Sequence, residues 1–350
     1  MQGMNWDMIG HTWAVNLLRQ HVVTGQVRHA YLLTGPDGIG KRGLSLRFSK
    51  ALNCTNPPSP GEFCSECSTC KRIDQEIYPD LHVIELGQLD ELRGSTSSEI
   101  SIDQILQLQK RLALTSIEGA WRIGLVLRFW QASVSAANAL LKTLEEPSSN
   151  VVLILTSRTA EDLLPTIVSR CEVINLRPVP LDEIAARLAS EGIDDVKAKL
   201  LARISGGRPE LALGLAQNPD ELEHRRHMID EMLEMLAMGR ADRFELVERY
   251  RPGSSGSLKD VRDDVIVHLE LWLAIWRDVL LIQLGRSNRI QNEDAAEQLS
   301  MVASEVSVDE ALHVLGLIDN TMSALTDYAN VRLALENLLL AMPELDHKLV

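Results

Sequence analysis

Hydrophobic positions in the first half of the chain follow two alternating rhythms. Short β-rich runs at Ala30–Thr34, His82–Leu86, Ile123–Phe129, Val151–Thr156 and Val173–Leu176 predict β-strands. Between them, apolar residues at helical spacing predict helices over Lys41–Leu52, Ser101–Leu114, Ser135–Leu144 and Ala160–Ser169. The second of these helices opens with Ser101 and Gln104 spaced as a capping box, followed by Ile102, Ile105, Leu106, Gln109 and Leu112. Strands alternating with helices imply an α/β sheet covered by helices on its faces.

Arg177-Pro178-Val179-Pro180 interrupts both rhythms and predicts a domain edge, giving a first domain over 1–178. Beyond it every element reads as helix. Leu181–Glu191, Val196–Ile204 and Glu210–Ala216 are short and separated by Gly192 and Gly206-Gly207, which predicts a small helical unit over 179–218. A longer helical region then fills 219–350, from about Glu221 to Leu345, with Arg251–Gly256 read as a loop. There Leu271, Ile275, Leu280 and Leu284, with Trp272 and Trp276, form a stripe that suits either an internal core or subunit packing, core being the commoner use.

Composition narrows the class. With 350 residues the chain exceeds the size of one hydrophobic core, and its 45% hydrophobic and 24% charged residues suit a folded globular protein. The net charge of -14 argues against a chain that wraps DNA by itself, because phosphate contact needs a surplus of Lys and Arg. Met1–Gly10 has no basic start or apolar stretch, and no apolar run approaches the roughly 20 residues of a membrane span. A cytoplasmic location without membrane contact is the expectation.

Two motifs carry chemistry. Cys54, Cys64, Cys67 and Cys70 are closely clustered, the last three at C-x-x-C-x-x-C spacing, which in a cytosolic chain points to metal rather than disulfides. Four thiolates suit a closed tetrahedral Zn²⁺ site, structural because no ligand position stays open to water. Pro57, Pro58, Pro60 and Gly61 leave the intervening loop without means to build a core of its own. The bland alternative is four reduced thiols on a surface insertion. Cys171 stands apart and is expected to be a small buried residue.

Gly35-Pro36-Asp37-Gly38-Ile39-Gly40-Lys41 follows an apolar strand and opens a helix, the setting of a phosphate-binding loop. Gly35, Gly38 and Gly40 would let backbone N–H groups converge on phosphate, and Lys41 would reach its outer oxygens. Yet Arg42 stands where a Ser or Thr hydroxyl should hold Mg²⁺, and the strand Ile123–Leu127 runs into Arg128-Phe129 where an acidic residue should. Both metal-handling positions are lost. Nucleotide binding stays open; hydrolysis is not expected.

Several strings together resemble the bacterial clamp-loader family of AAA+ proteins: Trp6–His11, His29–Pro36 leading into the phosphate loop, the cysteine cluster after the loop's helix, Ala136–Pro147, and Ser169-Arg170-Cys171. The likeness is strong over about 4–217 and weaker beyond, where Asn330–Leu338 looks like the end of the family's collar. It implies a RecA-like α/β AAA+ domain with a zinc insertion, a small helical lid and an all-α collar. Within the family, this sequence falls with the members degenerate at the metal-handling positions. The resemblance further implies ring partners, the ATP-hydrolysing gamma/tau subunits and the delta subunit, acting on a sliding clamp and primer-template DNA. It offers Arg170 as an arginine finger to a neighbour's ATP site, against a local ion pair near a helix end as the bland alternative. Thr156 and Ser157 fall at the family's first sensor, where without hydrolysis they would only satisfy loop backbone groups. Arg208 falls at the second, where it could equally be a surface arginine. An ATP-hydrolysing motor of the same family, or a zinc-stabilised adaptor outside replication, are the competing readings.

Overall fold

The structure, a computed structural model, describes residues 6–86, 99–249, 258–326 and 329–345. The expected loop at Arg251–Gly256 lies outside the described residues. The chain divides into two compact units, 1–187 with 207–211, and 188–206 with 212–350.

The first unit contains α1 (Thr12–Thr24), β1 (Ala30–Thr34), α2 (Lys41–Asn53), α3 (Ser68–Asp74), β2 (Leu81–Ile84), α4 (Ile102–Ala113), β3 (Arg122–Val126), α5 (Val134–Glu145), β4 (Val151–Ser157), α6 (Pro165–Val168) and β5 (Glu172–Asn175). The strands form one five-stranded sheet in the order β2-β3-β4-β1-β5, and each adjacent pair is parallel. Because β1 lies between β4 and β5, the loop after β1 leaves from the end of an interior strand, where an α/β fold can place its ligand crevice.

Alternation along β1 separates two cores. Tyr31 and Leu33 join Leu18 of α1, Leu44 and Phe48 of α2, and Ile154 of β4 on one face. Ala30 and Leu32 join Leu108 of α4, Leu140 of α5 and Leu155 of β4 on the other. A parallel sheet buried on both faces favours nearly continuous apolar strands, and β1 and β4 are buried along their whole length. The capping box at Ser101 is present, with Gln104 Oε1 accepting the Ser101 N–H at 2.9 Å and Ser101 Oγ accepting the Gln104 N–H at 3.2 Å.

Four elements differ from expectation. The strand expected to reach Phe129 ends at Val126, because Arg128 adopts the left-handed region at φ 51° and turns the chain. The helix expected over Ala160–Ser169 contracts to α6, with Asp162 instead tying the loop through Ser157 and the Thr159 N–H. Helices α1 and α3 were not anticipated.

From Leu181 onward come α7 (Leu181–Ser190), α8 (Asp195–Ile204), α9 (Pro209–Gln217), α10 (Pro219–Ala237), α11 (Arg240–Arg249), α12 (Leu258–Gln283), α13 (Ala296–Glu305), α14 (Val308–Thr326) and α15 (Val331–Ala341). The unit boundary falls within α7 and again within α9. In the second unit Trp272, Ile275 and Trp276 of α12 are buried in a single core with Leu299 of α13, Ile318 of α14 and Leu335 of α15. That apolar stripe is core, as its commoner use suggested, whereas Leu284 past the helix end is exposed. No helix among the described residues is long and apolar enough to cross a membrane.

Candidate functional site

The phosphate loop has its expected place between β1 and α2. Gly35, Gly38 and Gly40 all have positive φ, at 140°, 76° and 111°. At Gly35 a Cβ would also stand 2.5 Å from the Leu176 carbonyl oxygen, so glycine is required there on two counts. Lys41 is buried, and its Nζ donates to the carbonyls of Gly35 and, at 3.2 Å, Pro36, while pairing with Asp37 at 3.3 Å. Burial lowers its pKa, opposed by the Asp37 carboxylate. Arg158 reaches the other Asp37 oxygen at 3.5 Å and lies over the Trp130 ring, 5.1 Å from its centre.

The two positions read from the sequence as metal-handling hold Arg42 and Arg128. Arg42 grips Glu76 through two 2.7 Å hydrogen bonds and donates to Glu85 at 3.0 Å. The Glu76 hydrogen bond is the main cause of its raised pKa. Arg128 is exposed just past β3, and its backbone N–H donates to Thr156 Oγ1 at 2.9 Å. Thr156, at the end of β4, thus satisfies a loop backbone group. Arg208 is partly buried immediately before α9.

The four cysteines converge. Their sulfur atoms all lie within 4.8 Å of one another, and Cys54 and Cys64 are 3.6 Å apart. A tetrahedral zinc–thiolate site with bonds of about 2.3 Å has sulfur edges of about 3.8 Å, so this donor set could hold such an ion. Backbone N–H groups of Cys64, Cys67 and Cys70 donate to the sulfurs of Cys54, Cys64 and Cys67 at 3.4, 3.3 and 3.4 Å, which favours thiolates. Burial pushes the Cys54 and Cys70 thiols up; at Cys67 burial is outweighed by hydrogen bonds from Cys70 and Thr55, which bring it to about 6. Local sequence builds the cradle: Cys54 caps the end of α2 and Cys67 caps the start of α3. The Trp6 indole N–H donates to the Gly61 carbonyl at 3.1 Å, Phe63 packs on Trp6, and Arg19 pairs with Glu62 at 3.0 Å. Cys171 is half-buried and its thiol is pushed up to about 12 by that burial.

Arg170 follows α6, far from the phosphate loop in sequence. Its guanidinium donates to the Thr166 carbonyl and to Glu145 Oε1, each at 2.8 Å, with 35% of the side chain exposed and 53% of that of Glu145. The local ion pair weighed from the sequence is therefore present, and the arginine still faces solvent. Sequence reasoning missed its partner Glu145, and likewise Asp37, Glu76 and Glu85. Only Asp37 carried a local signal, four residues before Lys41.

The family model described as DNA polymerase III, delta subunit, matches residues 10–180, and that described as its C terminal matches 219–344. A Bacillus subtilis DNA polymerase III subunit delta' is 27% identical over 331 residues, covering 94% of this chain and 95% of that protein. A Pseudomonas aeruginosa subunit delta' is 35% identical over 202 residues, 57% of this chain and 59% of that protein. A Bacillus subtilis DNA polymerase III subunit tau is 29% identical over 182 residues, 52% of this chain and 30% of that protein.

Proposed function

Because the chain belongs to the DNA polymerase III delta-prime family of clamp-loader subunits, we propose that it is a non-hydrolysing member of the loader ring. In this reading residues 1–178 form the AAA+ domain, 179–218 the lid and 219–350 the collar. The gamma/tau and delta subunits are its neighbours, and the assembly places a sliding clamp on primer-template DNA in the cytoplasm. Arg170 completes the ATP site of an adjacent motor subunit in trans. Cys54, Cys64, Cys67 and Cys70 hold a structural zinc, which ties the end of α2 to the start of α3 and takes no part in reaction.

The observation that carries the non-motor reading is the engagement of Arg42 by Glu76 and Glu85, together with Arg128 past β3. Neither arginine offers an oxygen ligand to Mg²⁺, and phosphoryl transfer depends on that ion to neutralise developing charge. The purified chain is expected to show no ATPase above background, and Arg42→Thr alone is not expected to create any, since Arg128 remains. Mg²⁺-dependent turnover by the wild-type chain would overturn the assignment.

A further inference from the structure

Two of the groups a phosphate loop offers to a nucleotide, the Lys41 amine and the Gly43 N–H, are engaged in this chain by carboxylates of the same unit. On one side Asp37 takes the Lys41 ammonium at 3.3 Å. On the other, Gly43 is the third residue of α2, and its N–H is one of the four at a helix start with no partner inside the helix. Glu210 Oε1 accepts it at 3.3 Å. The backbone that delivers Glu210 is fixed to the loop itself: the Glu210 N–H donates to the Gly38 carbonyl at 2.9 Å, and a Cβ at Gly38 would stand 3.2 Å from Leu211 Cβ.

We propose that this phosphate loop is masked from within, with Asp37 and Glu210 standing in for phosphate oxygens, so that a nucleoside triphosphate binds only by displacing both. A triphosphate approaching the loop meets two negative charges, and the Lys41 amine that would attract it is shared with Asp37 and two loop carbonyls. Retention of Lys41 without its hydrolytic companions follows directly, because the amine now ties Asp37 and the loop backbone together.

The test is equilibrium titration of the full-length chain with ATP, with and without Mg²⁺, by calorimetry and by tryptophan fluorescence. Trp130 is a suitable reporter, its ring centre lying 5.9 Å from Lys41 Nζ. Wild type is expected to show no saturation up to millimolar ATP. The near-isosteric pair Asp37→Asn with Glu210→Gln is expected to gain about tenfold or more, each single change gaining less. Adding Lys41→Ala is expected to erase the gain. Circular dichroism confirms folding, and the single variants, each removing one partly exposed carboxylate, stand in if the pair is impaired. Saturation of wild type at micromolar ATP, variants no tighter than wild type, or a gain that survives Lys41→Ala would each overturn the masking. Because only binding to the isolated chain is measured, the result is separate from whether the chain serves in a loader.

Discussion

At the scale of single residues, the chemistry that could be seen in the sequence was the chemistry that is local. Four cysteines within 54–70, three glycines around Lys41, and arginines at 42 and 128 all declare themselves by spacing to a nearby strand or helix. Their partners do not. Glu76 and Glu85 meet Arg42 across 34 and 43 positions, Glu145 meets Arg170 across 25, and Glu210 meets Gly43 across 167. No periodicity records such a pairing, because only the folded chain sets the distance. Asp80 is the same kind of residue. It is buried, and its carboxylate accepts the N–H groups of Ile117, Glu118 and Gly119 at 2.9, 2.9 and 2.8 Å and the Ser116 hydroxyl at 3.0 Å. Burial would raise its pKa, but these donors outweigh burial and hold it below the usual 3.8. A depressed folded pKa contributes stability that is fully present above the unfolded pKa and is lost as pH falls through the folded one. Asp80→Asn should therefore lower the melting temperature most at neutral pH. The gap to wild type should close below about pH 4, and a gap independent of pH would show that the charge contributes nothing.

At the scale of elements, the interior strands β1 and β4 were the easiest to anticipate, because strands covered on both faces read as nearly continuous apolar runs, whereas β2 and β5 carry His82, Glu172 and Asn175. Helix α1 was missed because its N-cap is His11 in a left-handed conformation with no side-chain cap, although Gly25 at its end was a usable signal. Helix α3 is hard to read from sequence because Cys67 and Cys70 have the spacing of metal ligands, whereas Cys67 is also the N-cap. That double use yields a prediction for the cysteine module. Protein purified without added metal should contain about one zinc per chain. Chelation should free Cys64, Cys67 and Cys70 to alkylation and loosen α3 while the sheet's far-UV signal persists. Substoichiometric zinc with thiols that react at once would remove the zinc from the reading. In the second unit Arg243 of α11 plays a comparable part. Fully buried, it donates to the carbonyls of Met238, Leu339, Met342, Leu236 and Pro343 at 2.7–3.1 Å, closing the ends of α10 and α15 together. All five guanidinium donors are used, and a cation at two helix ends also meets both dipoles favourably. Arg243→Ala should cost at least about 3 kcal/mol in denaturant unfolding, because five carbonyls would lose a charged hydrogen-bond donor in a buried setting. Arg243→Lys should recover only part of this, since an ammonium cannot span five acceptors.

At the scale of the whole molecule, 49 acidic against 35 basic residues give no overall surplus of positive charge for phosphate contact, which is consistent with the proposed role among protein partners. Arg170 is where that role is most sharply testable. Its pair with Glu145 is solvent-exposed, and such pairs contribute roughly 1 kcal/mol or less, so Arg170→Ala should leave the chain folded with little change in melting temperature. One side chain at a junction should also leave assembly intact. If Arg170 reaches a neighbour's γ-phosphate, the reconstituted loader should lose part of its clamp- and DNA-stimulated ATPase, because removing an arginine finger costs roughly 10³-fold or more at the affected site. The other motor sites keep their own fingers, so the total rate should fall only partially, while clamp loading, which needs the sites coupled, should fall further. Arg170→Lys separates the two roles. Lysine can still pair with Glu145 but cannot bridge phosphate oxygens as a planar guanidinium does. A finger therefore predicts that Arg170→Lys behaves like Arg170→Ala, whereas a structural ion pair predicts that it behaves like wild type. Normal ATPase and loading with Arg170→Ala, in an assembly shown to contain it, would leave Arg170 as the partner of Glu145 alone.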